Sequence, residues 1–280
     1  MNGDGIDPLF DVRDRVVVVT GALGQLGRQF TLALVRRGAR VAVLDLELSE
    51  DAVAGAFARD SGDQALRERL LPVAADVTSR ESLEAALREI REHWETPFAL
   101  INNAGIDAPP GAAAAENGPF ETYPEQAWDR VLDVNLKGVV LCCQVFGGAM
   151  AEAGRGSIVN IGSIYGLVSP DQRIYDYRRR GGEPFFKPVA YSASKSGVLN
   201  LTRYLATYWA PRGVRVNTVT FAGVFNDQDA GFLEAYCARV PLGRMARPDE
   251  YEGAIVFLCS DASGYMTGAN LVIDGGFTAW

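Results

Sequence analysis

The sequence predicts an α/β fold: a doubly wound parallel sheet of about seven strands with helices on both faces. Three observations carry this. Valine-rich and other apolar runs alternate along the chain with segments of helical periodicity. The runs are apolar at consecutive positions, as strands covered on both faces require. A glycine-rich turn joins the first run to the first helical segment. With 280 residues, 48% of them hydrophobic, one domain spanning 1–280 can bury a full core.

Residues 15–20 read as the first strand, and 24–38 carry helical spacing through Leu26, Phe30, Leu34 and Val35. Residues 40–45 form the next strand. A helix near 49–60, a strand near 71–75, a helix over 79–94 and a strand over 98–102 continue the alternation. A long helix covers 124–153, followed by a strand at 156–162, a helix at 190–210 and a strand at 214–219. A helix at 248–259 and a strand at 270–274 close the order. The alanines 112–115, after Pro109, Pro110 and Gly111, read as a flexible connector. In such a sheet the ligand crevice lies beyond the carboxyl ends of the strands.

Gly21, Gly24 and Gly27 punctuate the turn between the first strand and helix. Glycine permits a tight turn and close backbone approach, and the helix amino end offers free N–H groups to a pyrophosphate. Asp45 ends the next strand 18 residues after Gly27. Its carboxylate suits the adenosine ribose hydroxyls and would repel a 2′-phosphate, so NAD is favoured over NADP. The alternative is that Asp45 only caps its own turn. Asp76, ending the third strand, reads equally as a partner for the adenine amino group and as a helix cap.

Tyr191 and Lys195 are four residues apart, which on a helix places phenol and ammonium on one face. Bringing a phenol from its usual pKa of about 10 to about 7 takes roughly 4 kcal/mol of selective phenolate stabilisation. A cation about 4 Å away at an effective dielectric near 20 supplies about that much. Ser163 closes the strand that precedes this helix.

Composition narrows the partners. A net charge of −8 argues against a nucleic-acid or anionic-membrane surface and leaves a small polar molecule as the partner. Cys142, Cys143, Cys237 and Cys259 show no ligand-like spacing and read as reduced thiols. The lone His93 cannot build a histidine metal site or a Ser-His-Asp triad, so no metal is expected. With no apolar run near the ~18 residues that span a bilayer and no signal-peptide pattern at the start, a cytoplasmic protein is expected.

Together these residues resemble the short-chain dehydrogenase/reductase family, in its single-domain branch. The likeness runs through the glycine turn, Asp76, the Asn102-Asn-Ala-Gly105 segment, Asn135, Ser163, Tyr191 with Lys195, Arg215 with Asn217, and the closing segment from Gly268 to Gly276. It implies a Rossmann-type domain and a catalytic tetrad of Asn135, Ser163, Tyr191 and Lys195. Asn135 would position a water that relays protons toward Lys195. The resemblance also implies that Asn102, Asn103, Ala104 and Gly105 line the cofactor cleft. With them it places Gly21, Leu23, Gly24, Gln25, Leu26, Asp45, Asp76, Val77, Tyr191, Lys195, Gly223 and Val224 at the cofactor.

Three departures stand out. The glycine spacing matches the family's extended, sugar-nucleotide branch, with Gln25 where the shorter branch usually has glycine. Phe221 and Ala222 stand where a Pro-Gly pair usually follows, which puts the ring contacts of Val224 and Asn226 in question. Ser163 lies 28 positions before Tyr191, and the insertion this creates, near 166–189, must border the substrate. Substrate contacts are therefore expected from Ser163, Tyr165, Gln172, Arg173 and Asn226, under a lid near 224–240. The insertion also offers Arg178, Arg179, Arg180 and Lys187.

The insertion and the segment 240–251 are similar to a gluconate 5-dehydrogenase-like subgroup linked with bacterial surface-sugar biosynthesis. That implies hydride transfer at a secondary alcohol or ketone of a sugar, sugar acid, cyclitol or derivative. A sugar-nucleotide epimerase or dehydratase that recycles NAD, and a non-catalytic nucleotide sensor, are the alternatives. The family likeness implies a homotetramer, with a homodimer second, in which residues 277–280 complete a neighbour's site.

Overall fold

The computed structural model describes residues 7–57, 67–107 and 114–280. Its strands are β1 Val16–Thr20, β2 Arg40–Asp45, β3 Leu70–Ala74, β4 Ala99–Asn102, β5 Gly156–Ser163, β6 Val214–Phe221 and β7 Asn270–Ile273. They form one sheet in the order β3-β2-β1-β4-β5-β6-β7, every neighbouring pair parallel. Every residue of β1 and β5 is buried, so β1 is apolar at consecutive positions through Val19, and the polar Ser157 and Asn160 of β5 are hydrogen-bonded. The winding reverses between β1 and β4, and the crevice opens there.

The helices are α1 Gln25–Val35, α2 Glu50–Ala56, α3 Arg80–His93, α4 Glu125–Glu152, α5 Asp176–Arg180, α6 Val189–Trp209, α7 Ala230–Cys237 and α8 Glu252–Leu258. Leu83 and Ile90 of α3, Phe146 and Met150 of α4, and Val198 and Trp209 of α6 join one core on one sheet face. Phe30 and Leu34 of α1, with Ile255 and Leu258 of α8, fill a second core on the other. By length and composition α4 is apolar enough to cross a membrane, yet most of its apolar stretch is buried inside the protein. Its apolar residues serve the core. Two π turns, Asp133–Lys137 and Cys143–Gly147, interrupt it.

A chain of buried side-chain hydrogen bonds crosses the first core. Asn102 donates to Asn160 at 2.8 Å, Asn160 donates to Thr202 at 2.8 Å, and Thr202 meets Thr218 at 2.7 Å. It links β4, β5, α6 and β6, and so fixes the register of the helix that carries Tyr191 and Lys195. Buried polar groups left unpaired are costly, so the chain specifies one docking. Asn102 therefore faces the core, beside Cys143, and not the crevice that the family likeness implied.

Other boundaries shift for identifiable reasons. β6 continues past 219 because Phe221 turns inward, its ring 3.9 Å from that of Tyr251 and 6.0 Å from that of Phe30, centroid to centroid. The helix expected over 248–259 opens as a 3-10 turn, Pro248–Tyr251, before α8. Of the expected connector, residues 112 and 113 lie outside the described residues, and Ala114–Asn117 is a 3-10 turn. Residues 58–60 of the second expected helix also lie outside the described residues.

Candidate active site

A cleft of about 500 Å³ lies at the carboxyl ends of β1, β2 and β4. Its walls hold Gly21, Leu23, Gly24, Gln25, Leu26, Asp45, Asp76, Val77, Asn103, Ala104 and Gly105. Two glycines are there by necessity. A Cβ on Gly27 would stand 2.2 Å from the Gly21 carbonyl oxygen, and one on Gly21, at φ +60, would stand 2.8 Å from Ala104 Cα. Asn103 donates to the Thr20 and Gly21 carbonyls at 3.0 and 2.9 Å, sewing the β4 exit to the turn. Gly24 starts α1 without a side-chain cap, which leaves the first-turn N–H groups to an anion. These residues fit a dinucleotide.

Asp45 accepts the backbone N–H of Leu23 and of Leu46, each at 2.9 Å, so one carboxylate shapes the turn and faces the cleft. Asp76 accepts from Thr78, while Ser79 is the cap of α3, so the cap reading of Asp76 gives way. Among the described residues no lysine or arginine lines this cleft. Arg40 starts β2 at the opposite end and lies 3.5 Å from Asp14.

An adjoining cavity of about 730 Å³ shares Gln25, Leu26, Asn103, Gly105 and Ile106 with the cleft, making one crevice. Ser163, Tyr191, Lys195, Gly223, Val224, Tyr165 and Asn226 line it. Ser163 Oγ accepts the Tyr165 N–H at 3.2 Å, which leaves its hydroxyl proton to donate. Lys195 Nζ donates to the Ile161 carbonyl at 2.8 Å and lies 5.9 Å from the Tyr191 ring centroid. Burial lowers the Lys195 ammonium to about 8 against the opposing field of Asp107.

The phenol corrects an expectation. The Tyr191–Lys195 spacing predicts a phenol near neutrality, but Tyr191 is pushed up to about 12, by burial first and the Asp107 carboxylate second, with a hydrogen bond to Ser163 opposing. Burial and the Asp107 field disfavour the phenolate more than the Ser163 hydrogen bond favours it. Asn135 lies on α4. It is buried in the first π turn, donating to the Ile106 carbonyl at 2.7 Å and accepting the Ile106 N–H at 2.8 Å. Its amide clamps the loop after β4.

The insertion folds back on itself. Gln172 and Arg173 do not line the cavity: Gln172 pairs reciprocally with the Lys187 backbone, and exposed Arg173 pairs with Asp171 at 2.9 Å. Arg178 pairs with Glu183, and Arg179 holds the Phe185 and Gln172 carbonyls. Asp107, not singled out from the sequence, and Lys187, one of the donors the insertion offered, both enter the cavity. Lys187 forms an ion pair with Asp107 there. A signal existed for each: Asp107 follows Gly105 by two positions, and Lys187 precedes Tyr191 by four.

Over the cavity Tyr165, Ile174, Tyr175, Tyr236 and Phe277 form a third hydrophobic cluster. Phe277 packs on Tyr165 and Tyr236 of its own chain. Helix α7 and its flanks are fastened to the insertion by Tyr177 donating to Asp229 at 2.6 Å and Arg239 to Asp171 at 2.5 Å. Where a Pro-Gly turn was missing, other bonds hold the path. The Gly223 N–H donates to the Tyr236 hydroxyl at 2.6 Å, Phe225 pairs with Ala246, and Gln25 donates to the Phe225 carbonyl at 2.7 Å.

The family model described as enoyl-(acyl carrier protein) reductase matches residues 21–278. The D-threitol dehydrogenase of Mycolicibacterium smegmatis is 37% identical over 278 residues, 98% of this chain and 96% of that protein. A short-chain dehydrogenase of Leptospira borgpetersenii, solved with bound NAD+, has TM-score 0.82 and 34% identity, covering 98% of this chain and 96% of that one. This chain belongs to the short-chain dehydrogenase/reductase family. A gluconate 5-dehydrogenase of Burkholderia cenocepacia, in complex with NADP and tartrate, is 26% identical with TM-score 0.81, over 98% of each chain. The dehydrogenase thus shares its fold with solved relatives along nearly its whole length, and it is an oxidoreductase of a family that uses a nicotinamide cofactor.

Proposed function

We propose that this dehydrogenase transfers hydride between NAD and a secondary alcohol or ketone of a sugar, sugar acid, cyclitol or related derivative. One observation carries the reading: Ser163, Tyr191 and Lys195 line a single cavity that opens into the glycine cleft. Bound in that cleft, the nicotinamide supplies the carbon that gives or takes hydride. Ser163 holds the substrate oxygen with its free hydroxyl proton. Tyr191, protonated in the resting protein, gives its proton to a carbonyl oxygen or, once ionised, takes one from an alcohol. Lys195 would hold the cofactor's ribose and set its charge against the phenolate.

Asp45 and Asp76 give the adenosine end two carboxylates and, among the described residues, no lining cation, which supports NAD over NADP. The relatives add weight, one acting on threitol and another solved with NAD+. The free thiols suit a reducing, cytoplasmic setting. Exposed Tyr204 and Tyr208, stacked at 6.0 Å on α6, suit a subunit contact and thus a homotetramer, or second a homodimer.

Tyr191→Phe tests the reading. Turnover of polyols with NAD or NADP should fall about 1,000-fold, as loss of a proton-transfer group implies. Cofactor affinity, followed by fluorescence titration, should hold. Near-normal turnover would refute the assignment.

A further inference from the structure

We propose that Asp107 and Lys187 form a charge-neutral clamp that reads hydroxyl groups and selects an uncharged vicinal polyol over a sugar acid. This rests on the polyol reading of the site and narrows it. The two residues reach one cavity from separate segments, Asp107 from the loop after β4 and Lys187 from the end of the insertion. There they meet as an ion pair, the lysine side chain 12% exposed and the aspartate 47%. The ammonium lies 5.0 Å from the Tyr191 ring centroid and 5.6 Å from that of Tyr165, so the pair borders the proton-transfer position. Lys187 is also held in place. Its N–H donates to Gln172 Oε1 at 2.8 Å, and Gln172 Nε2 donates to its carbonyl at 3.2 Å.

Charge accounting gives the selectivity. Among the described residues lining this cavity, Asp107, Lys187 and Lys195 are the charged ones, and Lys195 is tied to the Ile161 carbonyl. Lys195 keeps its charge, and the rest of the wall carries one negative and one positive charge, already paired. An ammonium has three donors and a carboxylate about four acceptor positions, so the pair keeps bonding capacity for a ligand. A hydroxyl both donates and accepts, so adjacent hydroxyls can satisfy both members at once. A substrate carboxylate can only accept, and it brings its charge against Asp107. Tyr175, Phe185 and Phe232 add apolar surface for the carbon skeleton.

The test compares kcat/KM for a neutral pentitol and the aldonate of the same chain length, with NAD saturating. The wild-type enzyme should prefer the pentitol by about tenfold or more, the value of a hydrogen bond to a charged group. Asp107→Asn keeps the shape and unpairs Lys187. It should lower pentitol kcat/KM about tenfold and raise that of the aldonate. Lys187→Gln should raise the pentitol KM with kcat much less changed, and should gain nothing on the aldonate. It serves as the second variant should Asp107→Asn fold poorly in thermal melts.

A wild-type preference for the aldonate overturns the clamp, as does a substrate ratio unmoved by both variants. Activity on polyols with either of those results sinks the clamp alone. Absence of NAD(P)-linked turnover on both substrates, and on the wider sugar series, sinks the polyol reading and the clamp with it.

Discussion

The two ends of the crevice are made from different materials. At the dinucleotide end the walls are mostly backbone: a turn that reverses at Gly21, a helix start at Gly24, and Gly27 pressed on the Gly21 carbonyl. At the substrate end the walls are side chains from distant segments, Asp107, Tyr165, Lys187 and Tyr236, held by ion pairs and ring contacts. A backbone wall tolerates almost no change in volume, whereas a side-chain wall can be altered one residue at a time. Cofactor binding and substrate choice are thereby separable within one continuous cavity.

The sharpest way to break this contrast is Gly27→Val. With backbone already filling the space, overpacking of roughly 3 kcal/mol should weaken NADH binding about 100-fold in fluorescence titrations. Binding at wild-type strength would show that the turn is not rigid.

The next largest effect concerns the pair beneath both ends. Lys195 titrates at about 8 when folded, and an unfolded lysine at about 10.4. Below pH 8 both states are protonated and the fold bears the full burial penalty. Between those values the unfolded chain holds more protons, so this lysine makes stability rise with pH. Tyr191, at about 12 against about 10 unfolded, acts in the opposite sense above pH 10. In urea melts at stepped pH, the stability of wild type relative to Lys195→Met should climb by about 3 kcal/mol from below pH 8 to above pH 10.5. A flat difference would mean that the ammonium is better solvated than its surroundings suggest.

The smallest effect sharpens the comparison at the substrate end. Arg239→Met removes the lid's grip on Asp171 and should raise substrate KM about threefold, in the range of a partly exposed ion pair. NADH affinity should stay unchanged in the same preparation. A shift in that affinity would mean that the two ends are mechanically joined.

The backbone end was also the more legible one. The glycine spacing, Asp45 and the Tyr191–Lys195 interval are local patterns, and each implies its geometry without knowledge of distant residues. The parallel sheet and the crevice at the carboxyl ends of its strands followed from the alternation. What escaped the sequence depends on contacts across the fold. Asn102 faces Asn160 instead of the crevice because β4 pairs with β5 in that register. Lys187 reaches the cavity only because Gln172 pins its backbone, while Arg173 is drawn outward by Asp171. The phenol's high pKa required knowing its burial and the nearness of Asp107, which lies 84 positions upstream.

The insertion is tied to α7 at both Asp171–Arg239 and Tyr177–Asp229. Anyone grafting a new specificity onto this scaffold would have to transplant the two segments as one cassette. Exchanging either alone strands a carboxylate from the other, and the chimaera would forfeit its roof before it acquired a new taste.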